Sequence, residues 1–96
     1  MTPTAAPQSI ESLIEGVTAL ERKFRSKAHG GSVTQRLYTC PNGLSLGARR
    51  GGALHQADEK TWEVFTMADG IVYGAHVGWV TDAQLAVAVE RLAAWS

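Results

Sequence analysis

The chain has 96 residues, nine Lys and Arg against nine Asp and Glu, and 45% hydrophobic residues. One hydrophobic core is usual at this length, so the sequence predicts a single domain over residues 1–96. A neutral and moderately apolar chain is typical of a globular protein. This composition excludes a disordered polyelectrolyte and a polycation that wraps nucleic acid.

The N-terminal residues contain no basic stretch followed by an apolar run, so they do not predict a secretory signal. Residues 1–8 are expected to form a flexible arm. No stretch approaches the ~20 apolar residues that a membrane span requires. Cys40 is the only cysteine, which prevents an internal disulfide. These features predict a soluble protein of the reducing cytoplasm, without a membrane partner. A mature secreted chain whose signal has been removed would show the same features.

The apolar residues that follow Ser9 recur at spacings of three and four, which is typical of an amphipathic helix. With Ser9 as N-cap and Gly30-Gly31 as the C-terminal stop, this spacing predicts a helix over residues 10–28. Gly16 inside it would mark a close crossing by another element. The same apolar stripe could pair with a second copy of itself. Its members are Ile10, Leu13, Val17, Leu20 and Phe24.

The turn Pro41-Asn42-Gly43 separates two predicted strands, residues 33–40 and 44–50. A three-residue turn with Gly43 in the left-handed conformation is favoured, because it leaves the proline outside the hydrogen-bond ladder. The resulting register pairs Cys40 with Leu44, Tyr38 with Leu46 and Arg36 with Ala48.

The pair Asp69-Gly70 joins two further predicted strands, residues 61–68 and 71–80, in the sequence preferred for a type I′ turn. Regular pairing outward from this turn gives a core face and a reverse face. The core face would pair Ala68 with Ile71, Thr66 with Tyr73, Val64 with Ala75 and Trp62 with Val77. The reverse face would pair Met67 with Val72, Phe65 with Gly74 and Glu63 with His76.

A capping box opens the last predicted element. Thr81 is the N-cap and Gln84 reaches back from the third helical position, which predicts a helix from Asp82 to about Trp95. Its buried stripe would be Leu85, Ala88, Val89 and Leu92.

These elements together predict a two-layer α+β fold. It has an N-terminal helix, a four-stranded antiparallel meander of two hairpins and a C-terminal helix, with both helices on one face. Residues 51–60 contain two glycines and no clean period, which predicts a mobile surface loop between the hairpins. The other sheet face carries Phe65, Met67 and Val72, and it is too apolar to be left in water.

The sequence contains no set of residues typical of a metal or cofactor site. Cys40 and the three histidines, His29, His55 and His76, lack the spacings that hold a metal ion, and no glycine-rich phosphate loop occurs. We therefore expect no metal and no cofactor. The facing pair Glu63 and His76 leaves open a small enzyme, in which the carboxylate fixes the imidazole of a general base.

A small group of cations forms a candidate basic corner. Arg49 and Arg50 precede two glycines, and Arg36 is on the neighbouring predicted strand. This corner leaves open a nucleic-acid-binding protein, although the stacking aromatics of such proteins are missing. An acidic protein surface would suit the same arginines.

An uncovered apolar face, a basic corner and no catalytic set are together typical of a binding module. We expect a small non-enzymatic regulatory or adaptor protein of bacterial or phage type, the source being inferred only from its many Ala and Gly residues. It would bind another protein as a homodimer, joined by the face of Phe65, Met67 and Val72 or by the first helix.

Overall fold

The computed structural model describes residues 8–11, 14–27, 30–52 and 57–95. They form one antiparallel sheet, in which each of six strands pairs with the next along the chain, and one α-helix. The elements are β1 (Gln8–Ser9), β2 (Thr18–Ser26), β3 (Gly31–Thr39), β4 (Leu44–Gly51), β5 (Thr61–Ala68), β6 (Ile71–Thr81) and α1 (Asp82–Ala93).

This fold is mostly antiparallel sheet, so the expected α+β arrangement of two helices around four strands is wrong. The N-terminal helix predicted over residues 10–28 does not form. In its place β2 pairs along its whole length with β3 and, near its start, with β1. Gly16, expected inside that helix, has a φ of 82° and lies in a turn before β2. The first helix is therefore no candidate for a dimer seam.

Cross-strand contacts explain why β2 is a strand. Its side chains alternate between the two sheet faces, a period of two that coincides with part of the three-and-four spacing. Leu20 and Phe24 lie on one face and pair with apolar residues of β3. Glu21 lies on the other face and accepts a hydrogen bond from Arg36 Nε at 2.7 Å. These partners are distant in sequence, and they outweigh the local helical pattern.

The β3–β4 hairpin confirms the predicted three-residue turn. Gly43 has a φ of 85° and donates its N–H to the Cys40 carbonyl at 3.2 Å. Cys40 in turn donates its N–H to the Leu44 carbonyl at 2.9 Å. The register pairs Tyr38 with Leu46 and Arg36 with Ala48, as predicted.

The β5–β6 hairpin confirms the predicted turn and the register next to it. Asp69 and Gly70 have φ values of 53° and 78°, and positive values at both positions define a type I′ turn. The pairs closest to the turn are those predicted. They are Ala68 with Ile71, Met67 with Val72 and Thr66 with Tyr73.

Farther from this turn the predicted register is wrong. Val64 pairs with Val77 instead of Ala75, and Trp62 pairs with Val80 instead of Val77. The extra residues of β6 form two bulges, which bend the strand and increase its twist.

Helix α1 is capped as predicted. The Gln84 N–H donates to Thr81 Oγ1 at 3.2 Å, and Gln84 Oε1 accepts from the Thr81 N–H at 3.0 Å. The helix ends at Ala93, slightly before the predicted Trp95. Its inward stripe is the predicted one, with Leu85 and Val89 buried and with Ala88 and Leu92 partly buried.

The core lies between α1 and one face of the sheet, called here the helix face. Trp62 is fully buried there, and its indole N–H donates to Asp82 Oδ1 at 2.7 Å. Ile10 and Ile14, between β1 and β2, add a second cover because they pack partly buried against the core. The opposite face, called the reverse face, carries no helix among the described residues.

Two expected flexible regions lie partly outside the described residues. Of the arm expected over residues 1–8, only Gln8 is described, and it pairs with β2. Of the loop expected over residues 51–60, Gly51 belongs to β4 and residues 53–56 are outside the described ranges.

Candidate interaction surface

An apolar groove lies between α1 and strand β6. The helix begins at the end of β6, and its other end is fixed at the β3–β4 turn. There the Asn42 side-chain amide donates to the carbonyl oxygens of Leu92 and Trp95 at 2.8 and 2.9 Å. The helix therefore crosses the sheet obliquely and diverges from β6. The wedge-shaped groove that remains has a volume of about 810 Å³.

The walls of this groove are mostly apolar. Arg91 is the one charged side chain among the described residues that line it. A concave apolar site with few polar groups is the usual form of a binding site. Its floor is formed by Leu46, Val64 and Thr66, its β6 wall by Val77, Gly78, Trp79 and Val80, and its helical wall by Ala83, Gln84, Val87, Ala88, Arg91, Leu92 and Trp95.

Exposed apolar side chains surround the groove and follow β6. Within the described part of the chain, every large apolar side chain that is exposed lies on β6, on α1 or just after α1. Such a concentration of exposed apolar side chains in one part of the molecule is uncommon on a monomer and indicates an interaction site. Its members are Ile71, Val72, Tyr73, Val77, Trp79, Val87 and Trp95, between 43% and 69% exposed. We call this set the β6 surface.

Trp79 is the most unusual residue of the β6 surface. Its φ is 58°, in the left-handed region, and its side chain is 56% exposed. This conformation costs an ordinary residue about 1–2 kcal/mol, and it is rarer still for a bulky side chain. Trp79 and Gly78 together face the single residue Glu63 of β5, so the bulge holds Trp79 in this conformation. Backbone strain of this kind is concentrated at functional sites.

The three apolar residues predicted as an interface share the reverse face but differ in exposure. Val72 is 43% exposed, Met67 is half-buried and Phe65 is only 9% exposed. Phe65 was expected opposite Gly74, but its ring covers Gly47, where an added Cβ would overlap the ring. Phe65 is therefore held within its own sheet, whereas Val72 joins the β6 surface.

The predicted contact between Glu63 and His76 is present on the reverse face. His76 Nδ1 and Arg49 Nη2 both lie 2.7 Å from Glu63 Oε1, and the Glu63 side chain is only 8% exposed. Burial opposes ionisation of this carboxyl, but the hydrogen bonds from Arg49 and His76 outweigh it and lower the pKa of Glu63. The carboxylate thus ties β4 and β6 to β5.

This cluster fixes the orientation of the His76 ring. When Nδ1 donates to Glu63, Nε2 is left as an acceptor, the arrangement of a general base. The ring is 39% exposed and lies 5.2 Å from the Phe65 ring. Among the described residues, Glu63 is the one recorded polar side-chain partner of His76. The geometry provides a base and its orienting group, without a nucleophile bonded to it.

The predicted basic corner is divided between the two faces of the sheet. Arg36 and Arg50 lie on the helix face, with their guanidinium carbons 4.6 and 4.1 Å from the Trp62 ring centre. Arg49 lies on the reverse face with Glu63, and Arg36 is paired with Glu21. Burial works against the charge of Arg36, but its hydrogen bonds raise its pKa.

The cysteine and the histidines supply no further site. Cys40 is 4% exposed within the core, and burial raises the pKa of its thiol, which disfavours a nucleophilic thiolate. His29 and His55 lie outside the described residues. In the described ranges, no three His, Cys, Asp or Glu side chains are placed to hold a metal ion.

Sequence reasoning missed the groove and its tryptophans. The signal that could have found them is the composition of β6, which has eleven residues and no Asp, Glu, Lys or Arg. A long strand without charge, at the end of the sheet order, indicates an edge that needs a partner.

No protein-family model matches this sequence. Neither the comparison with curated proteins nor the comparison with solved structures finds a match. In the described residues, no helix is both long and apolar enough to cross a bilayer.

Proposed function

We propose that this protein is a small non-enzymatic module that regulates or connects other proteins and that binds a protein chain on its β6 surface. One observation carries the proposal, namely that four of the seven exposed large apolar side chains of the described chain, Val77, Trp79, Val87 and Trp95, line a groove of about 810 Å³. Aromatic anchors beside an apolar pocket are typical of the residues that dominate binding energy. The free, buried Cys40 suits action in the reducing cytoplasm.

Site-specific cross-linking in the native cells tests this proposal. A photoreactive benzoylphenylalanine at Val87, on the helical wall, would be compared with the same group at Arg25 on β2. Val87 is 46% exposed and Arg25 is also exposed, so both positions accept the group without disturbing the core. We expect a discrete protein adduct from Val87 and none from Arg25. Equal labelling at both positions, or no adduct at either, would contradict the proposal.

A second candidate function is a small enzyme that uses His76 as a general base. The 2.7 Å contact between His76 Nδ1 and Glu63 Oε1 favours it, because a buried carboxylate is the usual orienting group of such a base. A His76→Gln variant that keeps its free energy of unfolding but loses its biological effect would support this function. An unchanged biological effect of the His76→Gln variant would rule out this enzyme function.

The basic corner gives less support to nucleic-acid binding. Arg36 and Arg49 are engaged by carboxylates on opposite faces of the sheet, so the corner presents no single positive surface. Binding to phosphates would require the protein to exchange these ion pairs for new ones.

A further inference from the structure

We infer that the occupant of the β6 surface is a second copy of this chain. The two copies would be related by a twofold axis, with the protruding tryptophans of each beside the groove of the other. This inference rests on the proposed function, because it names the protein chain that the surface binds.

The size of the surface matches what a dimer needs. Without Val72, which lies on the reverse face, its three aromatic and three aliphatic side chains, each about half exposed, present on the order of 600 Å². A standard interface buries about 800 Å² on each partner, of which side chains of this kind form the centre. The β6 surface therefore supplies most of one half-interface.

The shape of the surface is self-complementary. A twofold interface uses the same patch on both copies, so the patch must carry both a projection and a matching depression. Trp79 and Trp95 are 56% and 69% exposed on the rim, and the groove lies between their strand and their helix. The left-handed φ of Trp79 turns a strand residue into such a projection.

The charges favour a second copy over an acidic or basic partner. The chain carries a formal net charge of +0, so two copies do not repel each other. The seven members of the β6 surface are all uncharged, and the groove adds only Arg91. The β6 surface therefore offers few charged groups to a partner that binds through charge.

The bulges of β6 determine how the copies meet. Positive φ values at Gly74 and Trp79 interrupt the regular ladder at two places, and bulges oppose continuous edge-to-edge pairing. We therefore expect the two copies to join through side chains, and the dimer does not extend the sheet.

Sedimentation of the purified protein tests this inference. Over about 1 to 100 µM, the range of a weak to moderate dimer, the mass should approach twice the chain mass of 10.3 kDa. Val87→Lys should weaken self-association by roughly 30-fold or more, because it places a cation in the interface centre. Thr39→Lys adds the same charge at an exposed position of β3 and should change the association by less than about 3-fold.

Trp79→Asn separates an interface role from a role in folding. Asn tolerates the left-handed region, so this variant should keep or increase the stability of the monomer in urea while it loses the dimer. A wild-type protein that stays monomeric throughout would overturn the second-copy inference. Equal dimerisation of the wild type, Val87→Lys and Trp79→Asn would overturn it as well.

The two proposals fail separately. A monomeric purified protein that still gives an adduct at Val87 in cells would retain the proposed function and assign the surface to a different chain. The absence of both dimer and adduct would remove the function too.

Discussion

Strand β2, which lies next to the short edge strand β1, and the edge strand β6 meet solvent in opposite ways. Among the described residues, Gln8, Ser9 and Ile10 bond to the first part of β2, as far as Glu21, so β2 has no described neighbour on its outer side from Arg22 onward. That part of β2 exposes Lys23 and Arg25 on the helix face. In the described ranges, β6 has no neighbouring strand on its outer side and exposes uncharged, mostly apolar side chains.

This contrast distinguishes a protected edge from one that is available for binding. Charged side chains, above all Lys, prevent an open strand from pairing with other chains, because their burial is costly. Strand β2 has this protection and β6 lacks it. The difference therefore supports the proposal that a partner covers β6.

The largest effect on stability is expected at the cluster that ties β6 to the sheet. Glu63→Gln leaves Arg49 without its anion and should lower the free energy of unfolding by about 2 kcal/mol, less than for a fully buried pair because Arg49 is partly exposed. Urea unfolding at neutral pH measures this loss. The matched variant on β2, Glu21→Gln, removes the pair with Arg36, in which the carboxylate is 20% exposed against 8% for Glu63, and should cost about 0.5 kcal/mol or less. Equal losses of stability in the two variants would mean that the two ion pairs stabilise the fold equally, which would contradict this prediction.

The same cluster gives a pH dependence with a defined sign. Because the folded pKa of Glu63 lies below its ordinary value of 4.5, its stabilisation is complete above that pH. The contribution is then lost as the pH falls through the lowered folded pKa. The stability difference between wild type and Glu63→Gln should narrow below pH 4.5. A difference that is constant between neutral and acidic pH would contradict this assignment.

A smaller effect is expected at the anchor that sets the direction of α1. Asn42→Ala removes the amide that binds the Leu92 and Trp95 carbonyls and should cost about 1 kcal/mol. Asn42→Asp keeps the oxygen that accepts from the Leu44 N–H but loses the donor. If the amide donor stabilises the fold, Asn42→Asp should lower the free energy of unfolding in urea at least as much as Asn42→Ala does. The fluorescence of Trp95 should change in both variants.

The smallest effect on stability, below about 0.5 kcal/mol, is expected from the double variant Lys23→Val and Arg25→Val on β2. Its effect on the size of the assembled particles should nevertheless be measurable. Removing the charges gives the molecule a second open edge, and two interaction surfaces on one molecule permit open-ended assembly. Light scattering should detect particles larger than a dimer. Unchanged scattering would show that charge is not what keeps β2 unpaired.

The sequence predicts the parts of this fold that depend on neighbouring residues. The type I′ turn at Asp69 and Gly70, the three-residue turn that ends at Gly43 and the capping box of Thr81 were all predicted correctly. Each is fixed by hydrogen bonds or φ preferences within a few residues. Their detection needs no knowledge of the rest of the chain.

The error at β2 has the opposite origin. The apolar spacing from Ile10 to Phe24 fits a helix, and nothing within that segment contradicts it except Gly16. The strand is decided by β3, whose residues lie up to about twenty positions away and supply the partners of Leu20 and Glu21. A pattern read one segment at a time does not contain this information.

Only the features of the candidate surface that lie within the β5–β6 hairpin were predicted. Val72 was identified from the register next to the turn, and the Glu63 contact with His76 was identified as well. The groove depends on the angle of α1, which Asn42 fixes across some fifty residues of chain. Its other determinant, the bulge at Trp79, breaks the regular pairing on which the prediction relied.

The unbroken neighbour-to-neighbour order of the strands has a consequence for how the chain is made. A meander can form one hairpin at a time as it emerges from the ribosome, because each strand pairs with the strand that was synthesised just before it. The exception is α1, which follows every strand in the chain and covers Trp62. Until α1 has emerged, the nascent sheet therefore exposes both its core and the apolar side chains of β6, and this interval is when it is most vulnerable to aggregation.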